Sequence, residues 1–110
     1  INYVIEIDSK IDTLITDFGD RKNVLLITKE AINNALKYSK ATKIKVIIQY
    51  ENNIVTLIIS DNGIGFNTSE ILGNGIGNMK NRANKLNATF EIISNKNLGT
   101  TIQLQFKVIP

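Results

Sequence analysis

The most regular pattern in the chain lies between Asp20 and Lys40, where apolar residues recur every three or four positions. This spacing is that of an amphipathic α-helix, and Asp20 is a suitable N-cap residue. The apolar positions form one broad stripe: Val24, Leu25, Ile27, Ala31, Ile32, Ala35, Leu36 and Tyr38. Four polar residues fall within an arc of about 60° on the opposite side: Asn23, Glu30, Asn34 and Lys37. Alone, such a face is most simply the solvent side of a helix.

Alternation of apolar and polar residues predicts strands on both sides of this helix. Residues 3–7 alternate in period two and predict a short first strand, which residues 11–15 either continue or leave by crossing over. Residues 43–50 and 54–60 predict a hairpin. Glu51-Asn52-Asn53 joins the two strands, and Asn52-Asn53 would form a two-residue turn, because asparagine tolerates the positive φ that tight hairpins need.

A two-residue turn fixes the register of this hairpin. Three apolar pairs would then lie opposite each other: Tyr50 with Val55, Ile48 with Leu57, and Val46 with Ile59. The same parity places Asp61 on the apolar face at the end of the second strand. A half-buried carboxylate needs a partner, so Asp61 is a candidate functional residue.

The remaining sequence predicts a loop, a helix and a final hairpin. Residues 61–77 are rich in Gly, Asn and Ser, and residues 76–86 resume helical spacing through Met79, Ala83 and Leu86. Residues 89–94 and 101–108 then predict two antiparallel strands, joined by a turn that contains Gly99.

Composition narrows the chemistry. The 110 residues suit one domain, and they include no cysteine and no histidine, so catalysis must use carboxylates, amides, lysines and backbone groups. The absence of cysteine favours a reducing, cytoplasmic setting. The net charge of +3 without a Lys/Arg run longer than two argues against nucleic-acid binding and direct membrane contact. The chain starts at Ile1 in strand-like sequence, so we expect a fragment of a longer protein.

Two glycine-containing segments carry candidate binding chemistry. Gly73-Asn74-Gly75-Ile76-Gly77 allows backbone amides to approach phosphate oxygens and leads into a helix N-terminus, although a flexible loop would look the same. In Asp61-Asn62-Gly63-Ile64-Gly65-Phe66, a carboxylate could accept hydrogens from adenine's amine while the glycines admit a flat ring. The plain alternative is an Asn-Gly turn capped by Asp61.

In order and spacing, these segments resemble the Bergerat-type ATPase superfamily of gyrase B, heat-shock chaperones, MutL and histidine kinases. Residues 29–38, Lys-Glu-Ala-Ile-Asn-Asn-Ala-Leu-Lys-Tyr, look like the family's N box, and residues 61–66 and 73–77 look like its two glycine boxes. Residues 75–83 and the Leu98-Gly99-Thr100-Thr101 tail look like short-lid histidine kinases related to nitrate and membrane-fluidity sensors. The resemblance spans nearly all of residues 1–110. It implies an α+β fold, a two-layer α/β sandwich whose mixed, mainly antiparallel sheet carries helices on one face.

The resemblance also implies roles for individual residues. Asn34 would be a Mg²⁺ ligand, Glu30 would orient or deprotonate the attacking group, and Lys37 would meet phosphate. The other positions that match the nucleotide site are Tyr38, Asp61, Gly63, Gly65, Gly75, Gly77 and Thr100. Asp61 would read adenine, Gly63 and Gly65 would shape the base pocket, and Gly75 and Gly77 would let the lid contact phosphates. Thr100 would support the adenine end.

Two departures from the family pattern stand out. The subfamily commonly has histidine where this chain has Tyr38, and the lid between the two glycine boxes is only residues 67–72. A short lid leaves bound nucleotide partly exposed.

The function implied is Mg·ATP binding and transfer of the γ-phosphoryl group to a histidine on a separate dimerisation segment. That partner would be the phosphoacceptor helices of the same homodimeric protein, followed by a response regulator. An anti-sigma-factor-type serine kinase is an alternative, as is a nucleotide-binding interaction module without catalysis. A gyrase- or MutL-type ATPase fits least, because those proteins carry insertions that 110 residues cannot hold.

Overall fold

The computed structural model describes residues 2–11, 17–37, 40–64, 75–95 and 97–108. These residues form five strands and two helices. The strands are β1 (Asn2–Ile7), β2 (Lys43–Glu51), β3 (Ile54–Asp61), β4 (Thr89–Asn95) and β5 (Gly99–Lys107), and the helices are α1 (Phe18–Lys37) and α2 (Gly75–Lys85). Among them, neither helix is both long and apolar enough to span a membrane.

The first turn of α1 corrects the predicted cap. The helix begins at Phe18, and the Oδ1 atom of Asp17 accepts a hydrogen bond of 3.0 Å from the backbone N–H of Asp20. Asp17 is therefore the N-cap residue, and Asp20 lies inside the first turn. Burial raises the pKa of the Asp20 carboxyl above its ordinary value, and the nearby Asp17 carboxylate raises it further.

The apolar stripe of α1 is narrower than the sequence indicates. Val24, Ile27, Ala31 and Ala35 are buried as predicted. Leu25 and Leu36, by contrast, are exposed at 66% and 36%. The prediction that Leu25 and Leu36 belong to the buried stripe is wrong, because a single helix packed on a sheet buries only the side that touches the sheet.

The β2–β3 hairpin confirms the predicted register. Tyr50 lies opposite Val55, Ile48 opposite Leu57, and Val46 opposite Ile59. The turn residues Asn52 and Asn53 have φ values of 52° and 65°, the left-handed values expected in a two-residue turn. Ladder pairing extends to Ile44 and Asp61, so Asp61 stands on the same face as Leu57 and Ile59.

The sheet order is β1-β2-β3-β5-β4, with β1 parallel to β2 and all other neighbours antiparallel. One face of the sheet packs against both helices. The buried residues of this core are Val24, Ile27, Ala31, Ala35, Ala41, Ile44, Val46, Val55, Leu57, Ile59, Met79, Ala83, Leu86, Ile102, Leu104 and Phe106. The prediction of a mixed, mainly antiparallel sheet with helices on one face is confirmed.

The connections explain why the strand order differs from the chain order. After β1 the chain passes through α1 before β2, which is the crossover that a parallel pair requires. After β3 it passes through α2 to the far edge and returns, so that β5 rather than β4 lies beside β3. Of residues 11–15, only Ile11 is described, and it packs against the core.

Candidate functional site

The end of α1 and the end of β3 lie at the same end of the molecule. The chain needs only residues 38–42 to pass from α1 to β2, and the first residues of β2 pair with the last of β3. Asn62, just beyond β3, joins the two segments: its Oδ1 accepts hydrogen bonds from the N–H groups of Thr42 and Lys43, at 3.0 and 2.9 Å. Asn34 and Asp61 are therefore brought to one end of the fold, on the helix-covered side of the sheet.

Asn34 is buried, which corrects its predicted place on the polar side of α1. Its side chain is only 5% exposed. It lies two turns after Ile27, and seven residues rotate a helix by about 20° short of two full turns, so the two side chains share a face. The Nδ2 atom of Asn34 has no hydrogen-bond partner among the described residues. A buried N–H donor without a partner costs about 1–3 kcal/mol, so Nδ2 can donate to an acceptor on a ligand, while only the Oδ1 atom of the same amide could bind a cation.

The other three residues of that arc are less buried. Asn23 and Glu30 are half-buried, and Lys37 is exposed in the last turn of α1. The arc therefore runs from the core, at Asn34, to the surface, at Lys37. These residues therefore lie along the side of α1, between its buried face and its solvent-exposed face.

Asp61 is half-buried at the end of β3. Its Oδ1 atom accepts a hydrogen bond of 2.8 Å from the backbone N–H of Gly63, which is itself buried. This local bond is the capped Asn-Gly turn that the sequence offered as the alternative to a base-binding site. The two interpretations are compatible, because the bond fixes the direction of the carboxylate on the helix-covered face.

The start of β5 lies against this turn. Thr100 is 5% exposed, and its hydroxyl shares a hydrogen bond of 2.7 Å with the hydroxyl of Ser94. Gly99 has a φ of 89° and lies against the backbone of Asp61 and Asn62. Sequence reasoning assigned Thr100 to the adenine end but gave Gly99 no role beyond a turn.

A groove of about 270 Å³ separates the two helices, which run in opposite directions. It is lined by Leu26, Lys29, Glu30, Asn33, Asn78, Met79 and Arg82. Near the start of α1, Asn23 accepts a 3.3 Å hydrogen bond from the guanidinium of Arg82, in the last turn of α2. Glu30 and Asn33, further along α1, share the groove with Asn78 near the start of α2. The N-terminus of α2 therefore lies near the C-terminal half of α1, which carries Glu30 and Asn33.

α2 begins at Gly75, its first turn contains no acidic residue, and a methyl group at Gly77 would meet none of the described residues within 4 Å. The first amides of a helix have no partners within it and carry the positive end of the helix dipole. Such an end favours an anion, which agrees in kind with a phosphate site.

Tyr38 and Gly65 lie outside the described residues, as do Gly73 and Asn74 of the second glycine segment. Among the described ones, the structure brings Glu30, Asn34 and Lys37 together on α1, and Asp61, Gly63 and Thr100 together around the end of β3. Sequence reasoning missed Arg82, Asn62 and Gly99. For Arg82 there was a signal, since Asn78 and Arg82 are four residues apart and share one face of α2.

Comparison with known proteins identifies the family. Sensor protein VraS of Staphylococcus aureus (strain COL) is 39% identical over 89 residues, which cover 79% of this chain and 26% of VraS. Sensor histidine kinase LiaS of Bacillus subtilis (strain 168) is 31% identical over 108 residues, covering 96% of this chain and 30% of LiaS. The chain thus spans between a quarter and a third of the length of these curated relatives.

Solved structures agree on the fold. The histidine kinase domain of the blue-light activated histidine kinase from Erythrobacter litoralis EL346 superposes with a TM-score of 0.83 at 12% identity, covering 97% of this chain and 51% of that one. Residues 19–110 match the family described as histidine kinase-, DNA gyrase B-, and HSP90-like ATPase. This match includes α1, α2 and strands β2 to β5. The chain belongs to the family of histidine kinase-, DNA gyrase B- and HSP90-like ATPases.

Proposed function

We propose that this chain binds Mg·ATP and donates the γ-phosphoryl group to a histidine on a dimerisation segment of the same full-length protein. The observation that carries the proposal is the buried Asn34 amide, whose Nδ2 has no partner among the described residues. It lies at the end of α1 that is nearer to the N-terminus of α2. The names of VraS and LiaS, a sensor protein and a sensor histidine kinase, support the same function.

The residues present fit one Mg²⁺ ion held mainly by its nucleotide. Among the described residues, no group of three or more Asp, Glu, His or Cys side chains could hold a metal ion. Mg²⁺ commonly takes one or two protein oxygens and completes its shell with phosphates and waters. The side-chain amide of Asn34 would supply one such oxygen. Bound there, Mg²⁺ would neutralise charge on the phosphates during transfer.

Glu30 and Lys37 serve the transfer step. A nitrogen of the acceptor histidine attacks the γ-phosphorus, the bond from that phosphorus to the bridging oxygen breaks, and ADP leaves. Glu30, half-buried in the groove, orients the imidazole and accepts its N–H proton. Lys37 offers a point charge to the phosphates, and the first amides of α2 donate hydrogen bonds to them. Catalysis is mostly positioning and charge stabilisation.

Asp61 reads the adenine base. Its carboxylate accepts hydrogen from the exocyclic amine, and the amide bond from Gly63 keeps the carboxylate in place. Gly63, Gly65, Gly75 and Gly77 would let the backbone approach the nucleotide, and Tyr38 would contact its phosphate side. Buried Thr100 supports the adenine end from β5.

The whole protein is proposed to be a homodimeric sensor kinase of two-component signalling, with residues 1–110 as one cytoplasmic catalytic domain. β1 precedes the family match yet pairs with β2 along its whole length, which supports counting it in the domain. The partners are the phosphoacceptor helices of the same protein and a downstream response regulator. The chain contains no histidine, so by itself it has no acceptor.

Calorimetry with Mg·ATP tests the base assignment. Asp61→Asn replaces a charged acceptor by a neutral one, so affinity should fall about 10- to 100-fold, as for hydrogen bonds to a charged group. The fold should remain, because an amide oxygen can still accept from Gly63. Glu51→Gln makes the same change on an exposed side chain at the other end of the hairpin and should leave affinity unchanged. Equal affinity in all three proteins would remove Asp61 from the site.

Phosphotransfer tests the reaction. The chain, incubated with labelled ATP, Mg²⁺ and the dimerisation helices of the full-length protein, should label a histidine in those helices and nothing in itself. Label on a serine of a partner protein would favour the serine-kinase alternative. ATP binding without any transfer would favour a binding module.

A further inference from the structure

Gly99 packs directly on the backbone of the proposed adenine-binding residue. A methyl group at Gly99 would overlap the carbonyl oxygen of Asp61, and it would lie 3.0 Å from the carbonyl carbon of Asp61 and 3.3 Å from the Cα atom of Asn62. Carbon atoms pack best at about 3.5–4.0 Å, so the overlap with the oxygen requires the backbone to shift. All three atoms belong to the main chain, so no side-chain rotation can relieve the overlap.

The Asp61–Asn62 segment has little freedom to move away from Gly99. On its other side, the backbone N–H of Asn62 donates to the carbonyl of Lys43 at 3.2 Å, and its side-chain oxygen holds the N–H groups of Thr42 and Lys43. A further hydrogen bond lies two residues after Asn62, where the N–H of Asn97 donates to the carbonyl of Ile64. The segment after β3 is thus held between the start of β2 and the β4–β5 turn.

The direction of the Asp61 carboxylate depends on this backbone. Its Oδ1 accepts the N–H of Gly63, two residues on, so any rotation of the peptides between them moves donor and acceptor apart. We propose that Gly99 is a positioning residue for Asp61: the absence of a side chain at Gly99 sets the backbone that aims the Asp61 carboxylate at the nucleotide base. This inference rests on the proposed function, which gives Asp61 the adenine.

A structural role alone would give a different result. Gly99 has a φ of 89°, so any side chain there is strained and should lower stability. A loss of stability alone would weaken the binding of ATP and of other nucleotides by the same factor. Misplacing the Asp61 carboxylate instead removes the recognition of the adenine amine, and only that.

The experiment compares ATP with inosine triphosphate, which has the same phosphates and sugar but a carbonyl oxygen in place of the amine. The wild-type chain with Mg²⁺ should bind ATP about tenfold or more tightly than inosine triphosphate. Gly99→Ala should lose most of this preference by weakening ATP, with the affinity for inosine triphosphate within about twofold of wild type. Calorimetry below the unfolding temperature measures both.

Asn52→Ala is the matched control. It also places alanine at a left-handed position, with a φ of 52°, but at the exposed tip of the β2–β3 hairpin, at the other end of that hairpin from Asp61. It should lose stability like Gly99→Ala and keep the full preference for ATP. If Gly99→Ala keeps the preference, or loses both nucleotides equally, Gly99 is a structural residue and the inference is overturned.

A double variant links the two residues. If Gly99 acts through Asp61, adding Gly99→Ala to Asp61→Asn should weaken ATP no further than Asp61→Asn alone, whereas independent effects would multiply. A wild-type chain that does not distinguish the two nucleotides would instead remove the adenine role of Asp61, and this inference with it. The wild-type and Gly99→Ala results therefore separate the two failures.

Asn62→Ala provides the second test should Gly99→Ala not fold. The exposed Asn62 side chain can be removed without creating an overlap. Its loss removes the side-chain hydrogen bonds to Thr42 and Lys43, while the backbone N–H of Asn62 still donates to Lys43. The preference for ATP should fall about threefold, because the backbone next to Gly99 then has fewer hydrogen bonds to hold it in place. An unchanged preference would show that the backbone at Asp61 needs no such support.

Discussion

Arg82 donates a 3.3 Å hydrogen bond from its guanidinium to the Oδ1 atom of Asn23, between residues that are 59 positions apart in the sequence. This hydrogen bond connects the last turn of α2 with the first half of α1. Because the helices run in opposite directions, it contributes to the position of α2 along the axis of α1. The position of the α2 N-terminus relative to Asn34 therefore depends on it.

Arg82→Ala should weaken Mg·ATP binding about three- to tenfold and lower stability by about 1 kcal/mol. The stability loss comes from the hydrogen bond, and the affinity loss comes from a shifted α2 N-terminus. Lys85→Ala removes the same charge from the same turn at an exposed position and should change neither quantity by much. Thermal unfolding and nucleotide titration give the two values. Equal effects of both variants would mean that only the charge matters.

Asn34→Asp should change how ATP binding depends on Mg²⁺. A carboxylate at this buried position has no described partner for its charge, so without metal the stability should fall by about 1–3 kcal/mol. Mg·ATP should restore part of that loss. Asn33→Asp makes the same change one residue earlier, at an exposed position, and should keep its stability.

ATP affinity measured over a range of Mg²⁺ concentrations completes this test. The curve for Asn34→Asp should shift along the Mg²⁺ axis, while the preference for adenine stays as in wild type. A curve that coincides with wild type would exclude Asn34 as the ligand.

Gly77→Ala should raise stability and lower ATP affinity at once. None of the residues that the structure describes lies within 4 Å of the added methyl group, and alanine in place of glycine inside a helix contributes about 0.5–1 kcal/mol. The same methyl would stand among the amides offered to phosphate. Asn81→Ala, at an exposed position of the same helix, should raise stability and leave affinity unchanged. A Gly77→Ala variant with wild-type affinity would place the phosphates elsewhere.

Asp20→Asn should stabilise the protein at neutral pH and lose this advantage in acid. Burial, with the Asp17 carboxylate adding to it, raises the pKa of Asp20 above the value of 3.8 expected in the unfolded chain. The folded state therefore holds this proton more tightly, so the charged form destabilises the protein above the folded pKa. That penalty disappears as the pH falls through the folded pKa toward 3.8. Urea unfolding between neutral and acid pH would reveal it, and a difference that grows in acid would contradict the assignment.

Much of the fold follows from local patterns in the sequence. The Asn52-Asn53 turn and period-two alternation were enough for the register of β2 and β3, including the face on which Asp61 stands. Met79 and Ala83 of α2 are buried as their helical spacing predicts, and so is Leu86, directly after the helix. These features depend on residues that are close together in the sequence, so local patterns are enough to predict them.

Other features depend on partners far along the chain. Helical spacing placed Asn34 with Glu30 and Lys37, but only the packing of α1 against its neighbours decides that Asn34 is the buried one. The sequence Asp17-Phe18-Gly19-Asp20 offers two possible caps, and a pattern cannot choose between them. The contact between Gly99 and Asp61 arises because β5 lies next to β3, which a chain-order argument does not anticipate.

The strand at the edge of the sheet has a practical consequence for work with the purified chain. Among the described strands β1 pairs only with β2, and its alternate side chains Tyr3, Ile5 and Ile7 are exposed at 49%, 61% and 57%. The unpaired backbone groups of an edge strand are a template for adding another strand, and exposed apolar side chains favour that pairing. At the concentrations used for calorimetry or crystallisation, we expect two chains to associate through β1. Ile5→Lys places a charge on that edge and should reduce the association.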